Sequence, residues 1–158
     1  MEFIEIPEPQ ITKNDRMTIA GLASTYSFSD CSAIPAQWER FNHLRAQIPH
    51  PIDGATYGVC AAGDGPGTMK YYAGIGVTDT KGLPEEFETV TLPGARYACF
   101  RCDHHIAQIQ RVIHTVWNQW LPESDYRPDD SPSFERYTQS FDPETGAGGF
   151  EIWLPIAS

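Results

Sequence analysis

The chain has 158 residues, 41% of them hydrophobic and 12% aromatic, enough for one compact core and too few for two ordinary domains. Eleven Lys and Arg stand against 21 Asp and Glu for a formal charge of −10, which argues against a nonspecific phosphate-backbone binder, because that role needs a basic face. The longest stretch free of charged side chains, residues 17–29, is shorter than a bilayer requires and is interrupted by Ser, Thr and Gly, so no membrane helix is expected.

In chain order, Met1-Glu2-Phe3-Ile4-Glu5 is acidic where a secretory signal is basic, and a cytoplasmic location is expected. Two strand-like runs, 10–12 and 17–28, read as a hairpin. After Ser29-Asp30-Cys31-Ser32, polar residues able to cap free amides, the apolar residues Ile34, Trp38, Phe41, Leu44 and Ile48 recur at helical spacing. Pro49 and Pro51 end that helix. A second hairpin joins 56–61 to 69–77 through Gly63-Asp64-Gly65-Pro66-Gly67. This loop is glycine-rich but no phosphate cradle: Pro66 lacks an amide donor, Asp64 opposes an anion, and no Gly-Lys-Ser/Thr follows.

A third hairpin joins 87–92 to 96–102 through the turn dipeptide Pro93-Gly94. Asp103 then precedes a second amphipathic helix marked by Ile106, Ile109, Ile113, Trp117 and Trp120 and ended by Pro122. The last hairpin joins 133–139 to 150–156 through Asp142-Pro143-Glu144-Thr145-Gly146. Cys31, Cys60, Cys99 and Cys102 are too few for a disulfide scaffold at this length and read as free thiols. Cys99-Phe100-Arg101-Cys102-Asp103-His104-His105 has ligand types that suit zinc, yet strand residues three apart point to opposite faces, so no metal site is expected. His104, His105 and His114 have no paired nucleophile in a recognisable local motif.

Shifting the chain by 79 residues lays Trp38 on Trp117, one helix on the other, the flanking strands on their counterparts, and Tyr72 on Glu151. The two tryptophans read as core-facing packing residues. The implied fold class is α+β: two duplicated ββαββ halves, approximately residues 7–79 and 86–158 of one 1–158 domain, with an antiparallel sheet and two main helices flanking a ligand cleft. Two strands of the second half carry an acid and an aromatic residue on one face: Glu135 with Tyr137, and Glu151 with Trp153. A carboxylate beneath aromatic walls attracts an amphipathic organic cation, the rings supplying dispersion and cation–π contact. From residue 123 onward, eight acidic residues face only Arg127 and Arg136, an imbalance that steers cations inward. The bland alternatives are a strand carboxylate bridged to Arg136 or Arg127 for Glu135 and a solvated edge position for Glu151.

Leu92-Pro93-Gly94-Ala95-Arg96-Tyr97-Ala98-Cys99-Phe100, Trp117-Asn118-Gln119-Trp120-Leu121-Pro122-Glu123-Ser124, Phe134-Glu135-Arg136-Tyr137 and Phe150-Glu151-Ile152-Trp153-Leu154-Pro155-Ile156, in this order and spacing, resemble the GyrI-like effector-binding domain family, found in AraC-type transcription regulators and as stand-alone proteins. The resemblance covers nearly the whole chain. It implies a pseudo-twofold fold with a drug-binding cleft, Glu135 matching the family's pocket carboxylate and Glu151 an auxiliary acid of some members. Regulator members also carry a helix-turn-helix domain, for which this sequence leaves no room. Stand-alone relatives include integron-cassette binding proteins, proteins associated with gyrase inhibition, and hydrolases of cyclopropane-bearing toxins.

The expected function is therefore small-molecule binding of cationic or amphipathic compounds, for drug sequestration or transcription regulation, with Glu135, Glu151, Tyr137, Trp153, Tyr72 and Tyr97 as ligand-binding candidates. No cofactor and no direct nucleic-acid contact are expected. A hydrolase with Glu135 as general base and Tyr137 or Tyr97 polarising the leaving group is the first alternative. A gyrase-inhibitory interaction protein is the second, and a homodimer or a DNA-binding regulator as partner stays open.

Overall fold

The computed structural model describes residues 2–157. Strands form at β1 (Gln10–Lys13), β2 (Met17–Ser27), β3 (Thr56–Ala62), β4 (Thr68–Val77), β5 (Glu88–Leu92), β6 (Arg96–Cys102), β7 (Ser133–Tyr137) and β8 (Phe150–Ile156). They make one antiparallel sheet in the order β1-β6-β8-β7-β3-β4-β2-β5. Exchanging the halves, β1 with β5 through β4 with β8, reads this order backwards, so it has a pseudo-twofold at the β3–β7 seam. There Tyr57 lies opposite Arg136, each the image of the other at the 79-residue shift. The shift fails on the neighbouring strands: Tyr57 also faces Gly74 while Arg136 faces Glu151. Gly74, not Tyr72, is thus the counterpart of Glu151.

Two expected hairpins are absent. β1 pairs with β6 and β5 with β2, so each half donates its first strand to the other. The linkers 14–16 and 93–95 do not turn back; they run side by side, with the Asn14 amide donating to the Ala95 carbonyl at 3.0 Å. One register therefore carries through from Gln10 opposite Cys99 to Gly21 opposite Glu88. Pro93-Gly94 looks like a turn only when it is read without its partner segment.

This exchange dictates the shape of the sheet. Six strand spacings would separate β1 from β2 by about 29 Å in a flat sheet, whereas the link between them spans at most roughly 14 Å. The sheet must curl until its edges meet. Its inner face is filled by Ile19, Tyr57, Val59, Tyr72, Leu92, Tyr97 and Phe134, all buried, and loops return across it: the Pro132 carbonyl accepts from the Tyr97 hydroxyl at 3.0 Å.

Helices cover the outer face. Helix α1 (Ile34–Leu44), with Pro35 in its first turn where no amide is missed, packs its Phe41 over Leu22, Tyr71 and Ile75. The second helical segment comprises a 3-10 turn (Ile106–Gln108), α2 (Ile109–Thr115), a π-helical turn (Val116–Trp120) and α3 (Leu121–Glu123), and packs Val112 and Val116 over Phe100, Ile152 and Leu154. It is not the single regular helix its apolar spacing suggests, because the π turn adds one residue to the coil. The expected caps also differ: Ala33 precedes α1 without a side-chain bond, and His105 rather than Asp103 accepts from the Ala107 amide. No helix among the described residues is long and apolar enough to cross a membrane. The four cysteines are free, and Cys99 and Cys102 do face opposite ways, into the inner and outer cores respectively.

The strand exchange is testable through a native thiol. Opposed strand residues lie within disulfide reach, so mild oxidation of Gln10→Cys should link that position to Cys99, read as one joined peptide pair by mass spectrometry. A failure to link would contradict the pairing of β1 with β6.

Candidate functional site

At the seam where the halves meet, β7 alternates between the two faces of the sheet. Phe134 and Arg136 point inward; Glu135 and Tyr137 point outward, beneath α1. Glu135 is only 8% exposed, which is uncommon for a carboxylate without a cationic partner. No Lys, Arg or His reaches it among the described residues. Two hydroxyls serve it instead. Tyr71 of β4 and Tyr137 both donate to Glu135 Oε1, the latter at 3.2 Å. Trp38 of α1 donates its indole N–H to the Tyr71 oxygen at 2.8 Å and sets its ring edge-on to Tyr137, centroids 5.4 Å apart. Indole, phenol and carboxyl form one directional chain, whose dipoles reinforce one another away from water.

Room for this chain comes from Gly58, the residue of β3 directly opposite Glu135. A Cβ there would collide with the Tyr71 hydroxyl and Glu135 Oε1. A glycine inside a strand often marks such a close approach. Burial dominates the electrostatics. Loss of hydration pushes the Glu135 carboxyl up to about 7 against the lowering effect of the two tyrosine donors. Tyr71 and Tyr137 are held well above their ordinary value by burial first and by the facing carboxylate second. Among the described residues no donor reaches Oε2, leaving that oxygen for a proton or a cation.

The six sequence candidates divide between two faces. Glu135 and Tyr137 are together as expected, joined by a hydrogen bond. Glu151 and Trp153 also share a face, with the indole N–H donating to Glu151 Oε1 at 3.0 Å, but that is the inner face. Glu151 is neutralised there by Arg136 at 3.3 Å and Arg101 at 3.6 Å, and Arg136 also binds the Tyr57 hydroxyl at 3.2 Å. Tyr72 and Tyr97 belong to the same inner core. The two acids therefore do not converge on one hollow, because Glu135 pairs with Ile152 and so falls out of phase with Glu151. Nor is Glu151 a solvated edge residue, since β8 lies between β6 and β7. Sequence reasoning does not single out Tyr71, Trp38 or Gly58 for this site. Only Gly58, a glycine amid β-formers, carried a local signal.

Burial of Glu135 has a thermodynamic consequence. Below about pH 4.5 the group is protonated folded and unfolded; between there and about 7 the unfolded chain releases its proton while the folded chain keeps it. Its contribution to stability is lost across that window as pH rises. Urea unfolding should show wild type losing roughly 3 kcal/mol relative to Glu135→Gln between pH 4.5 and 7.5, with little change above. A pH-independent difference between the two would contradict the buried, partnerless carboxyl.

A family model described as the GyrI-like small molecule binding domain matches residues 7–157. No match is found among curated proteins. Among solved structures, the fold is similar to that of SAV2435 bound to tetraphenylphosphonium, with TM-score 0.78 and 19% identity over 96% of this chain and 95% of that one. It is similar to the integron cassette protein VCH_CASS2 from the mobile metagenome of Vibrio cholerae, with TM-score 0.74 and 18% identity over 96% and 97%. In the EcmrR–DNA complex the TM-score is 0.67 at 11% identity, covering 96% of this chain and 57% of that one. With the pseudo-twofold sheet, the two helical segments on its outer face and a family model spanning residues 7–157, the chain belongs to the GyrI-like small-molecule-binding domains.

Proposed function

We propose that the protein binds lipophilic organic cations at the outer-face site, with the Glu135 carboxylate as counter-charge and Tyr71 and Tyr137 as aromatic walls. The observation that carries this reading is a carboxyl buried without any cationic partner among the described residues, beside two phenols and an indole. A guest with diffuse positive charge supplies what the site lacks: it neutralises Glu135 and offers apolar surface to the rings without itself needing strong hydration. SAV2435, similar in fold, is described bound to tetraphenylphosphonium, a compound of this chemistry and a suitable probe here. The net charge of −10 favours the approach of such a guest. Sequestration of toxic cations and effector sensing for a separate regulator both follow from this one binding event.

A second reading is favoured by a single feature. A carboxyl near 7 suits a general base at neutral pH, so Glu135 could activate a water toward an electrophilic guest, with Tyr137 polarising the leaving group. Recovery of an electrophilic cyclopropane unaltered after prolonged incubation would remove this alternative.

Binding of tetraphenylphosphonium at pH 8, followed by equilibrium dialysis, tests the main reading. Glu135→Gln should weaken it five- to 150-fold, about 1 to 3 kcal/mol. Glu151→Gln, on the other face and already paired with two arginines, should change it less than about twofold. Equal losses in both variants, or none in Glu135→Gln, would defeat the assignment.

A further inference from the structure

Trp38 holds a position that packing alone does not require. It packs against both outer cores, the one beneath α1 and the one beneath the second helical segment, so it bridges the two halves. Its ring meets Tyr137 at 82° and Phe41 at 90°, with centroids 5.4 and 5.7 Å away, and its N–H ends on the Tyr71 hydroxyl. It therefore covers the Tyr71–Glu135 pair with a flat aromatic system, uncharged, where the proposed guest would bring a charged one. Two open hollows at the surface lie away from it, one of about 370 Å³ beside Gly94 and Arg96 and one of about 550 Å³ beside His104.

The residue before it explains how such a ring could leave without dismantling the fold. Gln37 is buried; its side-chain N–H₂ donates to the carbonyls of Leu22 and Tyr71 at 2.8 and 3.0 Å, and its oxygen accepts from the Tyr26 hydroxyl at 2.6 Å. This clamp fixes the α1 backbone at that point against β2 and β4. Rotation about the Trp38 side-chain torsions can then carry the indole off the site while the helix stays seated. The departure gives up one hydrogen bond, two edge contacts and the packing of the ring against the two outer cores, and leaves the Tyr71 and Tyr137 donors on Glu135 in place.

We infer that Trp38 is a gate for the cation site: its indole stands in for the guest in the empty protein and swings away to admit it, so that affinity and entry rate are set by the fraction of open molecules. The inference rests on the function proposed above and adds the regulation of that same site. A protein whose competent state is a minor one binds with its intrinsic affinity reduced by that fraction, and removing the indole lifts the reduction. Tighter binding on deletion of an aromatic side chain beside the site is the opposite of what an ordinary contact residue gives.

Stopped-flow association of tetraphenylphosphonium with wild type, Trp38→Ala and Trp38→Phe tests this, with circular dichroism and the urea midpoint as controls for folding. Trp38→Ala should associate at least about tenfold faster and bind more tightly. Trp38→Phe, which keeps a ring but loses the bond to Tyr71, should fall between and stay folded should the alanine variant fail to. Saturation should shift the tryptophan emission of wild type to the red, and this component should be missing in Trp38→Phe. Glu135-dependent binding in wild type with slower or weaker binding in both Trp38 variants would overturn the gate and leave the function standing. Binding by the Trp38 variants alone, lost again on adding Glu135→Gln, would support a gate closed at rest. No binding in any folded form would overturn both.

Discussion

A carboxyl group largely shielded from water, with only neutral partners among the described residues, is the constraint around which this site is built. Glu135 sits beneath α1 and accepts two phenolic hydroxyls on one oxygen, while burial raises its proton affinity to the neutral range. Phenols stabilise the anion less than an arginine would, and an arginine is close at hand in sequence: Arg136, the next residue, is sent to the other face by the strand period and spent on Glu151. The two neighbouring acids thus have opposite fates. One is neutralised by the protein itself, and the other is left to be neutralised by a proton or by something from outside.

The exchanged strands explain how such a site is sustained. Curling the sheet until its edges meet gives it two cores: an inner one rich in flat aromatic residues and an outer one divided between the helices. The inner core supplies the packing that lets the outer seam remain under-satisfied, because β3 and β7 are each paired on both sides and cannot shift to relieve the Glu135 environment. Gly58 completes the arrangement by leaving space where any other residue would push the tyrosine and the carboxyl apart. Rigid strands below and a mobile ring above are a sound division of labour for a binding site.

Much of this was legible in the amino-acid order, and the failures have particular causes. Strand positions, both helical segments, the α+β class and the pairing of Glu135 with Tyr137 follow from periods of two and about 3.6, which are local. Partner choice between strands is not local. Pro93-Gly94 has the composition of a hairpin turn, yet the chain there runs past Asn14 and onward. The 79-residue shift locates the halves but slips by two residues between β4 and β8, setting Tyr72 against Glu151 where the sheet sets Gly74; Tyr71, on the opposite face from Tyr72, carries no local mark of its contact with Glu135. Helical spacing marks Trp38 as a packing residue. It does pack, and it also touches the site, because α1 lies over the seam between the halves.

The account's central claim is that a cation takes the place of a proton on Glu135. Calorimetric titration of tetraphenylphosphonium at pH 6 in two buffers of different ionisation enthalpy counts that proton directly. Wild type should release close to one proton per cation bound, since the carboxyl is protonated below about 7, and Glu135→Gln none. Binding to wild type with no proton released would contradict the account.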